Sequence, residues 1–216
     1  MMKRKRFVLG LWLLVVGGMV LSSCMKNEGK TIALIGTEYY IDDILTVIPE
    51  TLQAEFKAAF GDIPEGPIPE NIEGSYVMSP KQRVHSNANN WYATVVEPNV
   101  YLAFADQNNG IMTMDLTEET EFVTDTVFIM GNGNAFTVYF IEDKTYDFPF
   151  NNNTYHVKMK RGVIMKGKVK DEGLADFQYA SIILEATDDS QGVLEQYAPG
   201  TYFIYKDGDG LAKRIE

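Results

Sequence analysis

The period of the hydrophobic pattern changes twice along this chain. Residues 7–21 contain only apolar residues and glycine, behind four consecutive cations, Lys3, Arg4, Lys5 and Arg6. From Ile41 to Phe60 the apolar positions (Ile41, Ile44, Leu45, Ile48, Leu52, Phe56, Ala59 and Phe60) recur at spacings of three and four, the period of an amphipathic helix. Pro49 interrupts them, and proline fits a first helical turn but not a helix interior. The spacing therefore predicts two short helices, 41–47 and 49–60, the second ending at Gly61. Their apolar stripe needs a partner, and the remaining chain offers only sheet. The segment is expected to cover a sheet face or an open barrel end. Residues 31–36 read as a short extended piece.

Residues 62–71 carry Pro64, Pro67 and Pro69 and read as a stiff linker and an internal boundary. Beyond them the period falls to two. Strands are predicted at 72–79, 91–96, 100–105, 111–116, 121–130, 135–142, 174–187, 201–206 and 211–216. Asn108-Asn109-Gly110 and Gly131-Asn132-Gly133-Asn134 are turn signals. Residues 81–90 read as loop and 147–153 as irregular. Residues 154–170 read as one long bent strand or as a hairpin about Arg161-Gly162. Eight to ten strands with short connections form a meander. The predicted class is mainly β: an antiparallel barrel behind a short helical segment, with a two-sheet sandwich as the alternative.

Composition allows a core, with 45% apolar and 12% aromatic residues. Cys24 is the single cysteine, so no internal disulfide can support the fold. It ends Leu21-Ser22-Ser23-Cys24. The cations and apolar run before it have the anatomy of a secretory signal, and its 15 residues fall short of the roughly 20 of a spanning helix. The four residues resemble the lipobox of bacterial lipoproteins. That resemblance implies cleavage before Cys24, acylation of Cys24 and, with Met25 rather than Asp next, an outer-membrane address. Each buried methylene of an acyl chain adds about 0.8 kcal/mol to membrane binding. The expected organisation is a signal peptide (1–23), a tether (24–37), a helical segment with proline-rich linker (38–70) and a strand domain (71–216). Loss of four cations takes the net charge from −11 to −15, which excludes a general electrostatic footprint on nucleic acid. The membrane is the expected partner; no cofactor is expected, and the oligomeric state is left open.

Ile72-Glu73-Gly74-Ser75-Tyr76 opens the strand region. Its Gly-x-aromatic pattern is similar to the first strand of lipocalin-like barrels, with Tyr76 where lipocalins carry Trp. Lipobox, tether, helical segment and strands together resemble the lipocalin-like lipoproteins of Bacteroides-type gut bacteria. The resemblance implies a small apolar or amphipathic ligand, with Tyr76 either a core aromatic plugging one barrel end or a ligand contact.

Other candidates come from the residues themselves. Read as one strand, 155–170 puts His156, Lys158, Lys160, Lys166, Lys168 and Lys170 on one face and Val157, Met159, Val163, Met165 and Val169 on the other. The lysine row is expected to face water beside acidic neighbours. Arg161 breaks the apolar row. It is read as part of a turn facing water; turned inward, it could clasp a ligand carboxylate. Trp91 is read either as a rim aromatic for stacking on a sugar or as core. His85 and His156 are too few and too far apart for a zinc motif, and Asp207-Gly208-Asp209-Gly210 lacks the remaining ligands of a calcium loop. No catalytic signature is present, so an enzyme is not expected. The alternative to a small-molecule binder is a surface module contacting glycans or proteins of an uptake complex.

Overall fold

A computed structural model of the chain describes residues 47–88, 95–118, 121–150, 153–187 and 198–215. The expected signal segment, Cys24, the predicted extended piece at 31–36, nearly all of the predicted helix at 41–47, and Trp91 lie outside the described residues. What is described belongs to one compact unit spanning residues 32–216.

The strands are β1 (Pro67–Pro69), β2 (Gly74–Met78), β3 (Lys81–Ser86), β4 (Val95–Glu97), β5 (Val100–Asn108) and β6 (Ile111–Glu118). They continue as β7 (Glu121–Gly133), β8 (Ala135–Phe150), β9 (Asn153–Lys170), β10 (Gly173–Thr187), β11 (Tyr202–Asp207) and β12 (Leu211–Ile215). Hydrogen bonding runs β12-β2-β5-β6-β7-β8-β9-β10, and β10 returns to β12. Eight antiparallel strands thus close a ring, the connectivity of a barrel. β11 and β12 share one edge of β10, through Ile182↔Tyr202 and Leu174↔Ala212. They are two halves of one kinked strand, as β2 and β3 are of its neighbour. Asp207 ties the two kinks together. One carboxylate oxygen accepts the Ser79 N–H at 2.9 Å, and the other accepts the N–H groups of Asp209 and Leu211.

Alternation fills the ring. Tyr76, Leu102, Met114, Val127, Val138, Met165, Phe177 and Ala212, one from each ring strand, belong to a single buried cluster.

The helical segment lies outside it. Pro49 precedes a 3₁₀ turn (Glu50–Leu52), followed by helix α1 (Gln53–Phe60). Gly61, at φ +82°, ends the helix by donating its N–H to the Lys57 carbonyl. Phe56 and Phe60 pack with Ile48 and Ile63 on Tyr139, Ile164, Ile182 and Tyr202. The helix therefore covers the outward face of β8 to β11 and not a barrel end. Gly162 permits the approach, because a Cβ there would meet the Val47 carbonyl oxygen. Lys166, outward on β9, donates to the carbonyls of Phe60 (2.6 Å) and Asp62 (2.7 Å). A cation thereby sits at the helix C-terminus. Burial lowers the Lys166 pKa, and Asp62 opposes that shift. The proline segment does not stand clear of the strands: Ile63 is buried, Thr137 donates to the Pro64 carbonyl, and β1 pairs parallel with β7.

Three local expectations are corrected. Residues 81–86 form strand β3 rather than loop; their inward positions hold Lys81 and Arg83, so the alternation is not hydrophobic. Residues 147–150 continue β8, pairing Asp147↔His156 and Phe150↔Asn153. The described ladder between β7 and β8 stops at Phe128↔Tyr139, so among the described residues Pro149 is strand-paired on its β9 side alone, and proline is tolerated on such a strand edge. Arg161-Gly162 is not a turn: β9 runs straight through it, with Glu142↔Arg161 and Ile141↔Gly162 in register.

Urea denaturation tests the helix packing. Phe56→Ala, at a position with 0% exposure, is expected to lower the unfolding free energy by about 3–5 kcal/mol. Lys166→Met is expected to lower it by about 1–2 kcal/mol. Unchanged midpoints in both variants would mean the helix contributes nothing.

Candidate functional site

The two ends of the ring are built differently. One end carries the tight turns Asn109-Gly110, Asn134 and Asp171-Glu172. At the other, β6, β8 and β10 end and β7, β9 and β11 begin.

Tyr76 sits toward the tight-turn end with 0% exposure. Its hydroxyl donates to the Ile72 carbonyl at 2.9 Å and accepts from Arg214 Nη2 at 2.8 Å. Arg214 lies with its guanidinium 5.0 Å from the Tyr76 ring centre and donates from Nη1 to the Glu73 carbonyl. A Cβ at Gly74, φ +138°, would collide with Arg214 Nη1. The glycine and the aromatic of Gly74-Ser75-Tyr76 thus have separable jobs: one leaves room for the guanidinium, the other carries it. Gln107 closes the same end, its side chain accepting the Ile72 N–H and its backbone N–H donating to Glu73. Burial pushes the Tyr76 phenol up, against Arg214.

Beyond Phe140 and Val163 the interior changes character. Glu142, Arg161 and Ile183 form one row across β8, β9 and β10. Arg161 donates to Glu142 Oε2 from Nε (2.8 Å) and Nη2 (2.5 Å). The Tyr146 hydroxyl donates to the same oxygen at 2.6 Å, and the Arg161 guanidinium lies 4.5 Å from the Tyr146 ring centre. Burial opposes the charge on Arg161, but Tyr179, Tyr146 and Glu142 outweigh it, and its pKa rises. Three donors converge on Oε2. The other oxygen, Oε1, is buried and has no hydrogen-bond partner among the described residues, an omission that costs about 1–3 kcal/mol. Tyr146 packs with Val157, Met159 and Ile183.

A second ion cluster faces the same interior. Lys81, 1% exposed, pairs with Glu97 at 3.0 Å and with Glu118, and its ammonium lies 4.3 Å from the Tyr205 ring centre. Arg83 donates to Glu97 from Nε at 2.7 Å. Tyr179 stacks on Tyr205 at 5.4 Å. These residues and the Glu142 pair set three cations against three carboxylates among aromatic rings.

Of the residues singled out by sequence, Tyr76 and Arg161 fall in opposite halves of the ring, and Trp91 and Cys24 lie outside the described residues. The carboxylate that Arg161 clasps is Glu142 of the same chain. Sequence reading did not single out Glu142, Tyr146, Lys81 or Arg214; the strand pairing of Glu142 with Arg161 is the signal that finds the first. The lysine row faces outward, with Lys158–Asp143, Lys160–Glu185, Lys168–Asp176 and His156–Asp147 pairs. His85 contacts the Tyr202 hydroxyl at 3.0 Å, and that hydroxyl donates to Glu55. Among the described residues no three His, Cys, Asp or Glu side chains gather as a metal site. A groove of about 490 Å³ lies outside the ring beneath the proline segment, lined by Lys166, Lys168, Asp62 and Asp176.

Burial, foremost, raises the pKa of Tyr205, Tyr202 and Tyr76. A folded-state pKa above the unfolded value of about 10 gives stability that is complete below pH ~10 and lost as pH rises through the folded values. Alkaline titration followed at the phenolate absorption band is expected to show these three ionising only together with unfolding. Their smooth ionisation in the folded protein would contradict the burial. No protein family, no curated protein and no solved structure matches this chain.

Proposed function

We propose that this chain is a lipid-anchored protein of the bacterial envelope, attached through Cys24 to the outer membrane, that holds a small apolar or amphipathic ligand in one half of its strand ring. The observation that carries the reading is the division of the interior. Toward the Tyr76–Arg214 clamp it is packed with hydrocarbon. Toward the other end it is lined by aromatic rings and paired charges. A core needing only stability has little use for four buried or half-buried ion pairs, because apolar replacements of similar volume are often as stable or more so. A ligand site uses such groups to orient what it binds. The glycine and aromatic of Gly74-Ser75-Tyr76, on the first strand of the ring, agree with the lipocalin-like resemblance, and the lipobox resemblance supplies the anchor.

Two measurements test it. Native mass spectrometry of protein purified from its own host is expected to show a co-purifying small molecule that is released on unfolding; only the apo mass under gentle conditions would count against a bound ligand. Cys24→Ser is expected to abolish incorporation of a labelled fatty acid and move the protein out of the membrane fraction. Unchanged membrane association in that variant would remove the anchor.

A further inference from the structure

We propose that Glu142 Oε1 is a hydrogen-bond acceptor reserved for a neutral donor on the ligand, so that the ring selects an apolar frame bearing a hydroxyl. The inference rests on the container reading above and narrows it to a ligand class.

Glu142 lies on the inward face of β8, cross-strand from Arg161, and is 6% exposed. All three of its protein donors, Arg161 Nε, Arg161 Nη2 and the Tyr146 hydroxyl, reach Oε2. Oε1 is left buried and unpaired among the described residues. A buried charged acceptor seeks a donor. Of the side chains clustered with Tyr146, Val157, Met159 and Ile183 have no donor, and the Tyr155 hydroxyl beside them does not hydrogen-bond to Oε1.

The chemistry of that donor follows from charge. Arg161 already neutralises the carboxylate, so a ligand ammonium would place a second cation beside the first. A ligand carboxylate would have to displace Glu142 from a two-bond pairing with Arg161 and would repel Oε1. A neutral hydroxyl meets neither penalty. Among the described residues β7 stays with β6 and β8 with β9 past Phe128↔Tyr139, so no ladder joins β7 to β8 beside Glu142.

The probes are 2-naphthol and 2-methoxynaphthalene, identical in frame and differing in the donor, titrated at neutral pH by their own fluorescence. A hydrogen bond to a charged acceptor corresponds to roughly a ten- to hundredfold difference in affinity. Wild-type protein is expected to bind 2-naphthol at least about tenfold more tightly than 2-methoxynaphthalene. In Glu142→Gln the three donors hold the amide oxygen at the Oε2 position. The amide NH2 then occupies the place of Oε1, and the advantage of 2-naphthol is expected to collapse. Glu142→Asp keeps the charge but withdraws the acceptor and is expected to weaken 2-naphthol selectively.

Equal binding of both probes by wild type, or a preference that survives in a folded Glu142→Gln, overturns the hydroxyl assignment and leaves the container standing. Binding of neither probe overturns both. The wild-type comparison needs no variant, so a misfolded Glu142→Gln does not shield the proposal.

Discussion

Closure of the strand ladder is the constraint on which the rest depends. β12 is short, yet it bonds to β2 on one side and to β10 on the other. Without it the ring would end in two edges with unsatisfied backbone groups, a liability for any sheet protein. Arg214, on β12, crosses to the ring of Tyr76 and the carbonyl of Glu73 on the opposite side of the seam. The same contact that shuts the ring shuts one of its ends.

With one end shut, the polarity of the interior gains meaning. Phe136, Met165 and Phe177 pack the lower part as ordinary core. Higher up, on the same inward faces, stand Glu142, Arg161 and Lys81, each satisfied at least in part by a partner from another strand. The helix does not compete for this space: Phe56 and Phe60 spend their apolar surface on the outward face of β8 to β11. Lys166 locks that arrangement by binding the last carbonyl of α1. Inside and outside of β9 are thus separated cleanly, lysines to water and helix, valines and methionines to the core.

The fold class was legible because alternation survives in the long strands. Val157, Met159, Val163 and Met165 against Lys158, Lys160, Lys166 and Lys168 needed only a period of two. It failed where the inward residue is charged. Serine and asparagine made 81–90 look like loop, and Lys81 and Arg83 gave β3 no apolar alternation to set against them; Arg161-Gly162 made the middle of β9 look like a turn. The partners Glu97 and Glu142 lie on other strands and leave no local trace. Pro149 misled for a different reason: its compatibility with β8 depends on which neighbour that strand pairs with there, and among the described residues it is β9 alone. Of the candidate site, Arg161 was visible as an exception to its row, but its partner carboxylate was not. The resemblance at Gly74-Ser75-Tyr76 named the aromatic and left Arg214 unread.

One half of the ring interior is proposed as a ligand compartment and the other as a sealed core. A crystal structure of the protein purified from its native host tests it most directly. Density for a small molecule is expected among Glu142, Tyr179 and Val157, and none beside Tyr76 and Arg214. An interior filled by its own side chains throughout, with no space or density next to Glu142, would contradict it.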